Sequence, residues 1–238
     1  MKIYLAGTSA YKDVPIQESK YVLESFYYFK DWQKKLINKD FMLDSGAFTF
    51  MNSARNKSDI DFDNYVEKYA EFINQNGIEL FFEMDIDCVV GIKEVERLRQ
   101  KLEKITSKKC IPVWHKSRGF DYFKQLAQNY KYISIGGIVI NEILKSEYKY
   151  FPELINIAHQ NKCKIHALGF LGKDKAKYDF DSVDGTNWTL GNRLGVYFKF
   201  INRKIYRQEF KDKRAVNLKE LNLHNFNEWC KYQKYMDK

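Results

Sequence analysis

The sequence predicts an α/β fold with a parallel sheet, and it favours a TIM-type (β/α)8-like barrel, complete or incomplete. Short apolar segments recur along the chain, and stretches with helical periodicity lie between them. The apolar segments are nearly continuous rather than alternating, which is typical of strands that are covered on both faces. Their alternation with helices over about 185 residues suits a barrel better than an open sheet.

Seven apolar segments are predicted as strands, each ending at a turn or a charged residue. They lie at residues 2–6, 41–43, 79–84, 110–114, 132–135, 164–168 and 180–183. Seven strands are one short of a closed eight-stranded barrel. Either the barrel is incomplete, or a further strand lies near residues 27–29.

Helical periods separate the strands. Val22, Phe26, Phe29 and Leu36 fall on one predicted helical face. Further helices are expected over residues 62–73, 92–105, 120–128 and 151–159.

The end of the chain departs from this alternation. Residues 197–207 predict a hairpin, and residues 218–236 predict a closing helix. We therefore expect a catalytic barrel domain over residues 1–196 and a basic C-terminal extension, residues 197–238, packed on it.

The composition is that of a packed globular protein, with 45% hydrophobic and 16% aromatic residues. No apolar run approaches the roughly 20 residues that cross a bilayer, so we expect a soluble, unsecreted protein with no membrane partner. Four well separated cysteines suggest neither a disulfide framework nor a cysteine-rich zinc site. A reducing cytoplasm is the expected location.

The net charge is +9, from 40 lysines and arginines against 31 acidic residues. The excess is spread over the chain, with one dense run over residues 203–214. Such a charge suits a polyanionic partner such as nucleic acid, and it equally suits a lysine-rich solvated surface. Both interpretations stay open.

Polar residues or glycines follow most of the predicted strands. In a parallel barrel the reacting groups lie at the carboxyl ends of the strands, so these residues are expected to meet in one acidic pocket. The residues are Asp44, Ser45 and Gly46, then Asp85 and Asp87, His115, Gly136 and Gly137, His166 within its strand and Gly169 after it, and Asp184.

Each of these residues also has a purely structural interpretation. An aspartate after a strand is commonly a helix N-cap, and a lone histidine near a strand is commonly a hydrogen-bonded core residue. A glycine pair such as Gly136 and Gly137 often forms a tight turn. Trp114 and Trp188 suit the core. The joint placement of all these residues at one end of the sheet is what favours a functional site.

Two chemistries use clustered carboxylates at a barrel mouth. Metal-assisted hydrolysis needs several converging ligands, and the chain has no HxH or HExxH spacing. Glycosidic-bond chemistry needs one carboxylate at the anomeric carbon and another for the proton of the leaving group. Asp44 and Asp184 supply such a pair.

Five segments carry a family resemblance, and they are LDSGAF at residues 43–48, FFEMDIDC at 81–88, YISIGGI at 132–138, IHALGF at 165–170 and FDSVDGTNW at 180–188. In order and approximate spacing they resemble the tRNA-guanine transglycosylase superfamily, especially phage and bacterial relatives that insert 7-deazaguanine bases into DNA. The resemblance implies a base-exchange transglycosylase that replaces guanine in a nucleic acid, with DNA favoured over tRNA.

The resemblance also implies roles for the matching residues. Asp184 would attack C1′ and form a covalent intermediate, while Asp44 would protonate the departing guanine and then deprotonate the incoming base. That base would be a 7-deazaguanine such as a preQ0-like compound. The substrate-binding residues would be Ser45, Gly46, Asp85, Asp87, His115, Gly136, Gly137, His166 and Gly169, with Phe48, Trp114 and Trp188 holding the base and residues 203–214 following the phosphates.

Two residues match the nucleophile position of the family. Asp181 and Asp184 both follow a hydrophobic residue; we favour Asp184 at the strand end and expect Asp181 deeper in the barrel. The tRNA enzymes of the family carry a zinc site of three cysteines and one histidine. Only His224 and Cys230 lie in that region here, so we predict no metal and no other cofactor.

Three other functions stay open. The opening MKIYLAG is similar to that of nucleoside deoxyribosyltransferases, which exchange bases on free nucleosides. A non-catalytic relative that binds a nucleic acid or a base is the second. A metal-dependent hydrolase, which chelators would inhibit, is the third.

Overall fold

The computed structural model describes residues 1–47, 49, 60–171, 177–209 and 217–237. Within these residues, eight parallel strands form one sheet in the order β4-β3-β2-β1-β8-β7-β6-β5. The strands are β1 Lys2–Ala6, β2 Val22–Ser25, β3 Met42–Asp44, β4 Leu80–Phe81, β5 Val113–Trp114, β6 Tyr132–Ile135, β7 Lys164–Ala167 and β8 Ser182–Gly185.

The strands at the two ends of this order, β4 and β5, meet just outside their assigned bounds. Phe82 and Ile111 form a parallel bridge. Ile111 N donates to Phe81 O over 2.8 Å, and Glu83 N donates to Ile111 O over 3.1 Å. The sheet therefore curls round on itself, and the predicted α/β barrel is confirmed.

The eighth strand is β2, which lies earlier in the chain than expected. It pairs with β1, where Ala6 lies beside Leu23, and with β3, where Ser25 lies beside Asp44. The strand expected near residues 27–29 is wrong, because a 3-10 helix covers Phe26–Tyr28.

The helical face predicted through Val22, Phe26, Phe29 and Leu36 is also wrong. Val22 belongs to β2, and Leu36 ends a separate 3-10 helix, Asp31–Leu36. All four side chains pack into the core between the sheet and its helices. Burial on one side of the sheet therefore produced a helix-like spacing without a helix.

Helices cover the outside of the barrel, and the other predicted helical periods are all present. Asp61 caps the helix that begins at Phe62, and its side chain accepts a hydrogen bond from Asn64 N over 3.0 Å. The described α-helices are α1 Phe62–Gln75, α2 Asp87–Val90, α3 Ile92–Thr106, α4 Phe120–Asn129, α5 Phe151–Gln160, α6 Leu190–Leu194 and α7 Leu218–Met236.

Two apolar clusters fill the molecule on the two faces of the sheet. Alternate side chains of a strand point to opposite faces, so Ile3 and Leu5 of β1 belong to one cluster while Tyr4 and Ala6 belong to the other. The larger cluster includes the helices and lies outside the barrel. The smaller one, with Phe82 and parts of β2 and β3, fills the barrel interior.

The C-terminal segment packs against the barrel. Strands β9 (Val196–Ile201) and β10 (Lys204–Glu209) form an antiparallel hairpin. In α7, Gln233 is fully buried and donates to the backbone oxygens of Ile3 (2.7 Å) and Tyr21 (2.9 Å). The hairpin exposes Arg203, Lys204 and Arg207, whereas Lys211, Lys213 and Arg214 of the predicted basic run lie outside the described residues.

None of the helices in the described part of the chain combines the length and the apolar character that a membrane span needs.

Candidate active site

The predicted site residues come from the carboxyl ends of β3 to β8, which share one end of the barrel. Asp44 ends β3, Asp85 follows β4, His115 follows β5 and Asp184 lies near the end of β8. Parallel strands place these ends together. Asp44, Asp85 and Asp184 interact electrostatically, since the charges of the latter two raise the pKa of Asp44.

Asp44 combines partial burial with a raised pKa. Burial raises the pKa of this carboxyl to about 6, and the charges of Asp184 and Asp85 act in the same direction. A hydrogen bond from Gly46 N to Asp44 Oδ2 (2.9 Å) opposes the rise. An acid with a pKa near neutral can both donate and accept a proton.

The loop after Asp44 is closely packed. Gly46 has φ of 85°, and an added Cβ there would lie 2.5 Å from Tyr27 Cβ. Ser45 is fully buried, and its Oγ has no hydrogen-bond partner among the described residues. Ser25, which lies beside Asp44 in the sheet, has a buried Oγ in the same condition. Ser25 was not predicted as a site residue because strand β2 was not predicted.

Asp184 is a buried carboxylate that is held by two donors. Its Oδ1 accepts hydrogen bonds from Gly169 N (2.7 Å) and from His166 Nε2 (3.2 Å). Its Oδ2 makes no hydrogen bond to the residues that the structure describes. His166 is fully buried and therefore lies behind Asp184. Gly169 contributes its backbone N–H.

Asp181 lies at the other end of the barrel, and the expectation that it lies deeper in the interior is wrong. It precedes β8, and its Oδ2 accepts from Ile165 N (2.8 Å) and contacts His159 Nε2 (3.0 Å). Its side chain is 30% exposed. Asp181 therefore ties β8 to its neighbours and is remote from the mouth.

Arg118 holds the acidic residues that follow β4. Its Nη2 donates to Asp85 Oδ1 (2.9 Å), its Nε to Asp87 Oδ2 (2.9 Å) and its Nη1 to Glu83 Oε1 (3.1 Å). The Arg118 side chain is only 3% exposed. Burial opposes ionisation of Asp87, but Arg118 outweighs it and the pKa of Asp87 is lowered. Sequence reasoning missed Arg118 because it lies in a short 3-10 helix, Lys116–Arg118, that has no recognisable sequence pattern.

His115 connects this acidic group to the loop after β6. Its Nδ1 lies 2.6 Å from Glu142 Oε2, and Glu142 Oε1 accepts from Ser117 N over 2.7 Å. The glycine pair is needed for this packing. A Cβ on Gly136 would lie 2.6 Å from His115 Nε2, and one on Gly137, at φ of 79°, would lie 2.7 Å from Glu142 Oε2.

The tryptophans expected to hold a base are core residues. Trp188 is fully buried, donates through Nε1 to Ala6 O (2.9 Å) and packs against Phe226. Trp114 is 6% exposed and donates to Gly119 O over 2.8 Å. Both indole N–H groups are used within the fold, so neither tryptophan forms an open wall. Phe48 lies outside the described residues.

Asp85, Asp87 and His115 offer ligand atoms that lie within 4.8 Å of one another, an arrangement that could hold a metal ion. In the structure Arg118 already lies against both carboxylates, and His115 bonds to Asp85. The side chains of Arg118 and His115 thus supply the positive charge that a metal ion would bring. The absence of a resident metal stays a prediction.

Comparison of the chain with models of known protein families gave no match, and neither did comparison with curated proteins. The fold and the site therefore give the class of protein: it is an α/β barrel that carries Asp44, Asp85 and Asp184 at the carboxyl ends of its strands.

Proposed function

We propose that the protein is a base-exchange transglycosylase that replaces guanine in a nucleic acid with a 7-deazaguanine base. The observation that carries the proposal is the pairing of Asp44 and Asp184 at one mouth in different surroundings. Asp44 has a pKa near neutral, whereas Asp184 is held through one oxygen by two N–H donors. Such a pair suits retaining glycosidic chemistry.

Asp184 is the nucleophile in this proposal. Its Oδ2 forms a bond to C1′, and the bond between C1′ and N9 of guanine breaks with its electron pair going to the base. The two hydrogen bonds to Oδ1 orient the carboxylate, which supports attack by Oδ2. A carboxylate nucleophile divides one difficult displacement into two easier ones and retains configuration at C1′.

Asp44 moves the proton. Protonated at first, it gives its proton to the departing guanine and becomes a carboxylate. It then takes a proton from the incoming deazapurine, whose N9 attacks C1′ and releases Asp184. A pKa of about 6 suits both directions of transfer at neutral pH.

Asp85 and Asp87 are proposed to recognise the edge of the base. Arg118 and His115 fix the two carboxylates, so that their remaining lone pairs accept hydrogen bonds from ring N–H and amino groups. The absence of a side chain at Gly136 lets the backbone after β6 pack directly against His115, which keeps the imidazole beside Asp85. A paired base must leave the stack to reach this mouth.

A nucleic acid substrate agrees with the net charge of +9 and with the exposed Arg203, Lys204 and Arg207 of the hairpin. Phosphate contacts from such residues position a polymer without reading its sequence. DNA is favoured over tRNA because the resemblance is especially to relatives that insert 7-deazaguanine bases into DNA.

The test is incorporation of a labelled preQ0-like base, followed by mass spectrometry. Separate reactions contain guanine-containing DNA, tRNA and free deoxyguanosine. We expect incorporation into DNA that is lost in Asp184→Asn and retained in Asp181→Asn, which removes a carboxylate at the opposite end of the barrel. Incubation with DNA alone should give an acid-trapped adduct on Asp184.

Each of the other outcomes indicates a different function. Incorporation into free deoxyguanosine alone indicates a deoxyribosyltransferase. Tight nucleic acid binding without incorporation, unchanged in Asp44→Asn and Asp184→Asn, indicates a binding protein. Bond cleavage that a chelator abolishes indicates a metal-dependent hydrolase. Full activity in Asp184→Asn would overturn the assignment of the nucleophile.

A further inference from the structure

A chain of four polar side chains runs from Asp184 into the barrel. His166 Nε2 lies 3.2 Å from Asp184 Oδ1, and His166 Nδ1 contacts Ser182 Oγ. Ser182 Oγ in turn lies 2.6 Å from Tyr132 OH. These residues come from the neighbouring strands β6, β7 and β8, where His166 pairs with Ser182 in register.

These four hydrogen-bonded side chains lie in apolar surroundings. His166 and Ser182 are fully buried, and the rings of Tyr4 and Phe82 lie 6.1 and 5.4 Å from the imidazole, centroid to centroid. Burying a polar group without a partner is costly, and here each member has one. An apolar side chain at residue 166 would fill the same space, so packing alone does not require a histidine.

The hydrogen-bond directions follow from the carboxylate end. An ionised Asp184 only accepts, so His166 Nε2 carries a proton. In the neutral imidazole Nδ1 then accepts from the Ser182 hydroxyl, which has only one proton to give. Ser182 Oγ must therefore accept from Tyr132 OH. Burial raises the pKa of Tyr132, so this hydroxyl keeps its proton.

We infer that His166 is a positioning residue for the nucleophile, an inference that rests on the proposed function. Ser182 and Tyr132 fix its imidazole as the neutral Nε2–H tautomer, which holds Asp184 Oδ1. The Gly169 N–H binds the same oxygen from a second direction. Two donors on one oxygen stop the carboxylate from rotating and keep Oδ2 as the attacking atom.

The first experiment measures the tautomer without any substrate. Nitrogen-15 NMR of the histidine-labelled protein at pH 7 distinguishes a protonated Nε2, a protonated Nδ1 and an imidazolium. We expect the neutral Nε2–H form at His166. We expect Ser182→Ala to weaken this preference, since it removes the donor to Nδ1. A neutral Nδ1–H form or an imidazolium in the wild type would overturn the inference.

The second experiment measures the rate of adduct formation on Asp184. Glutamine retains an N–H donor near the position of Nε2, whereas phenylalanine retains only the shape. His166→Phe should slow the reaction about 10- to 100-fold at unchanged KM, the effect of one hydrogen bond to a charged group. His166→Gln should restore most of the rate. Equal rates in the two variants would overturn the positioning role.

His159→Phe is the matched control, because His159 and Asp181 form a similar pair, 3.0 Å apart, at the other end of the barrel. This variant should react at the wild-type rate. If His166→Phe does not fold, Ser182→Ala replaces it, with an expected slowing of several-fold.

The two possible failures can be told apart. A wild type with the Nε2–H tautomer that forms no adduct with any nucleic acid would overturn the proposed function. A wild type that forms the adduct with an Nδ1–H tautomer would overturn only the role of His166.

Discussion

His115 Nε2 lies 2.8 Å from Asp85 Oδ2 at the mouth of the barrel. Burial disfavours the charged imidazole, but the hydrogen bonds to Asp85 and Glu142 and the charge of Asp85 outweigh it and raise the pKa of His115 to about 9. His115 is therefore a cation at neutral pH, fixed between two carboxylates.

Replacing His115 should therefore have an effect on stability that depends on pH. A raised pKa means that the folded state binds the proton more tightly, so this contribution is complete below about pH 6.5 and is lost as the pH rises through about 9. We expect His115→Gln to lower the free energy of unfolding by about 2–3 kcal/mol at pH 6 and by less at pH 9.5. Urea unfolding at both values, with the surface variant His159→Gln as control, measures it. An equal loss at both values would contradict the linkage.

Removing Arg118 should destabilise the barrel strongly. Arg118→Met leaves Glu83, Asp85 and Asp87 without a shared buried cation, and breaking such a buried set costs about 3–5 kcal/mol. Arg97 also binds two carboxylates, but its side chain is 47% exposed, so Arg97→Met should cost less than about 1 kcal/mol. Denaturant unfolding compares the two. Similar losses in the two variants would show that burial does not determine how much these ion pairs contribute to stability.

Glu24 should make the protein less stable as the pH rises. It is 2% exposed, accepts from Thr8 N over 3.0 Å, and burial raises its pKa to about 7. Its contribution is complete below the unfolded pKa near 4.5 and is lost as the pH rises through about 7. Glu24→Gln, which imitates the protonated form, should stabilise by about 2–3 kcal/mol at pH 8 and have little effect at pH 4.5. Thermal unfolding at both values tests this; no gain at pH 8 would contradict it.

Adduct formation should depend on the protonation of Asp44. With a pKa of about 6, the acid form needed to release guanine declines above that pH, so the rate should fall about tenfold per unit well above pH 6. Single-turnover rates between pH 5 and 8 measure this. Asp40→Asn is the control, because Asp40 pairs with Lys2 at the other end of β1. A flat wild-type profile would exclude Asp44 as the rate-limiting acid.

The barrel could be predicted from the sequence because strands covered on both faces leave continuous apolar segments. Strand β2 could not be predicted, since its four residues merge with the aromatic 3-10 helix Phe26–Tyr28 that follows directly. The predicted positions of Asp44 and Asp184 at strand ends follow from topology alone, without any knowledge of side-chain contacts.

The partners of the predicted residues were beyond the reach of the sequence. Arg118 ends a short 3-10 helix and Glu142 lies in a loop, and only the folded chain brings them to Asp85 and His115. For Trp114 and Trp188 the interpretation as core residues is confirmed, and the base-holding role that the resemblance implies is wrong. Their positions beside the strand ends suggest a mouth, but both rings pack into the core between the sheet and its helices.

The bridge between Phe82 and Ile111 is the place where the two ends of the sheet join. β6 and β7 pair over four residues, whereas β4 and β5 meet at this bridge and are fastened by Glu83, which binds Arg118 and Arg99. Few backbone hydrogen bonds therefore join β4 to β5, and the buried ion pairs of Glu83 reinforce them. Asp85 follows this bridge directly, so loosening the bridge would move the acidic residues after β4, whereas Asp184 lies in a strand that pairs with both β1 and β7.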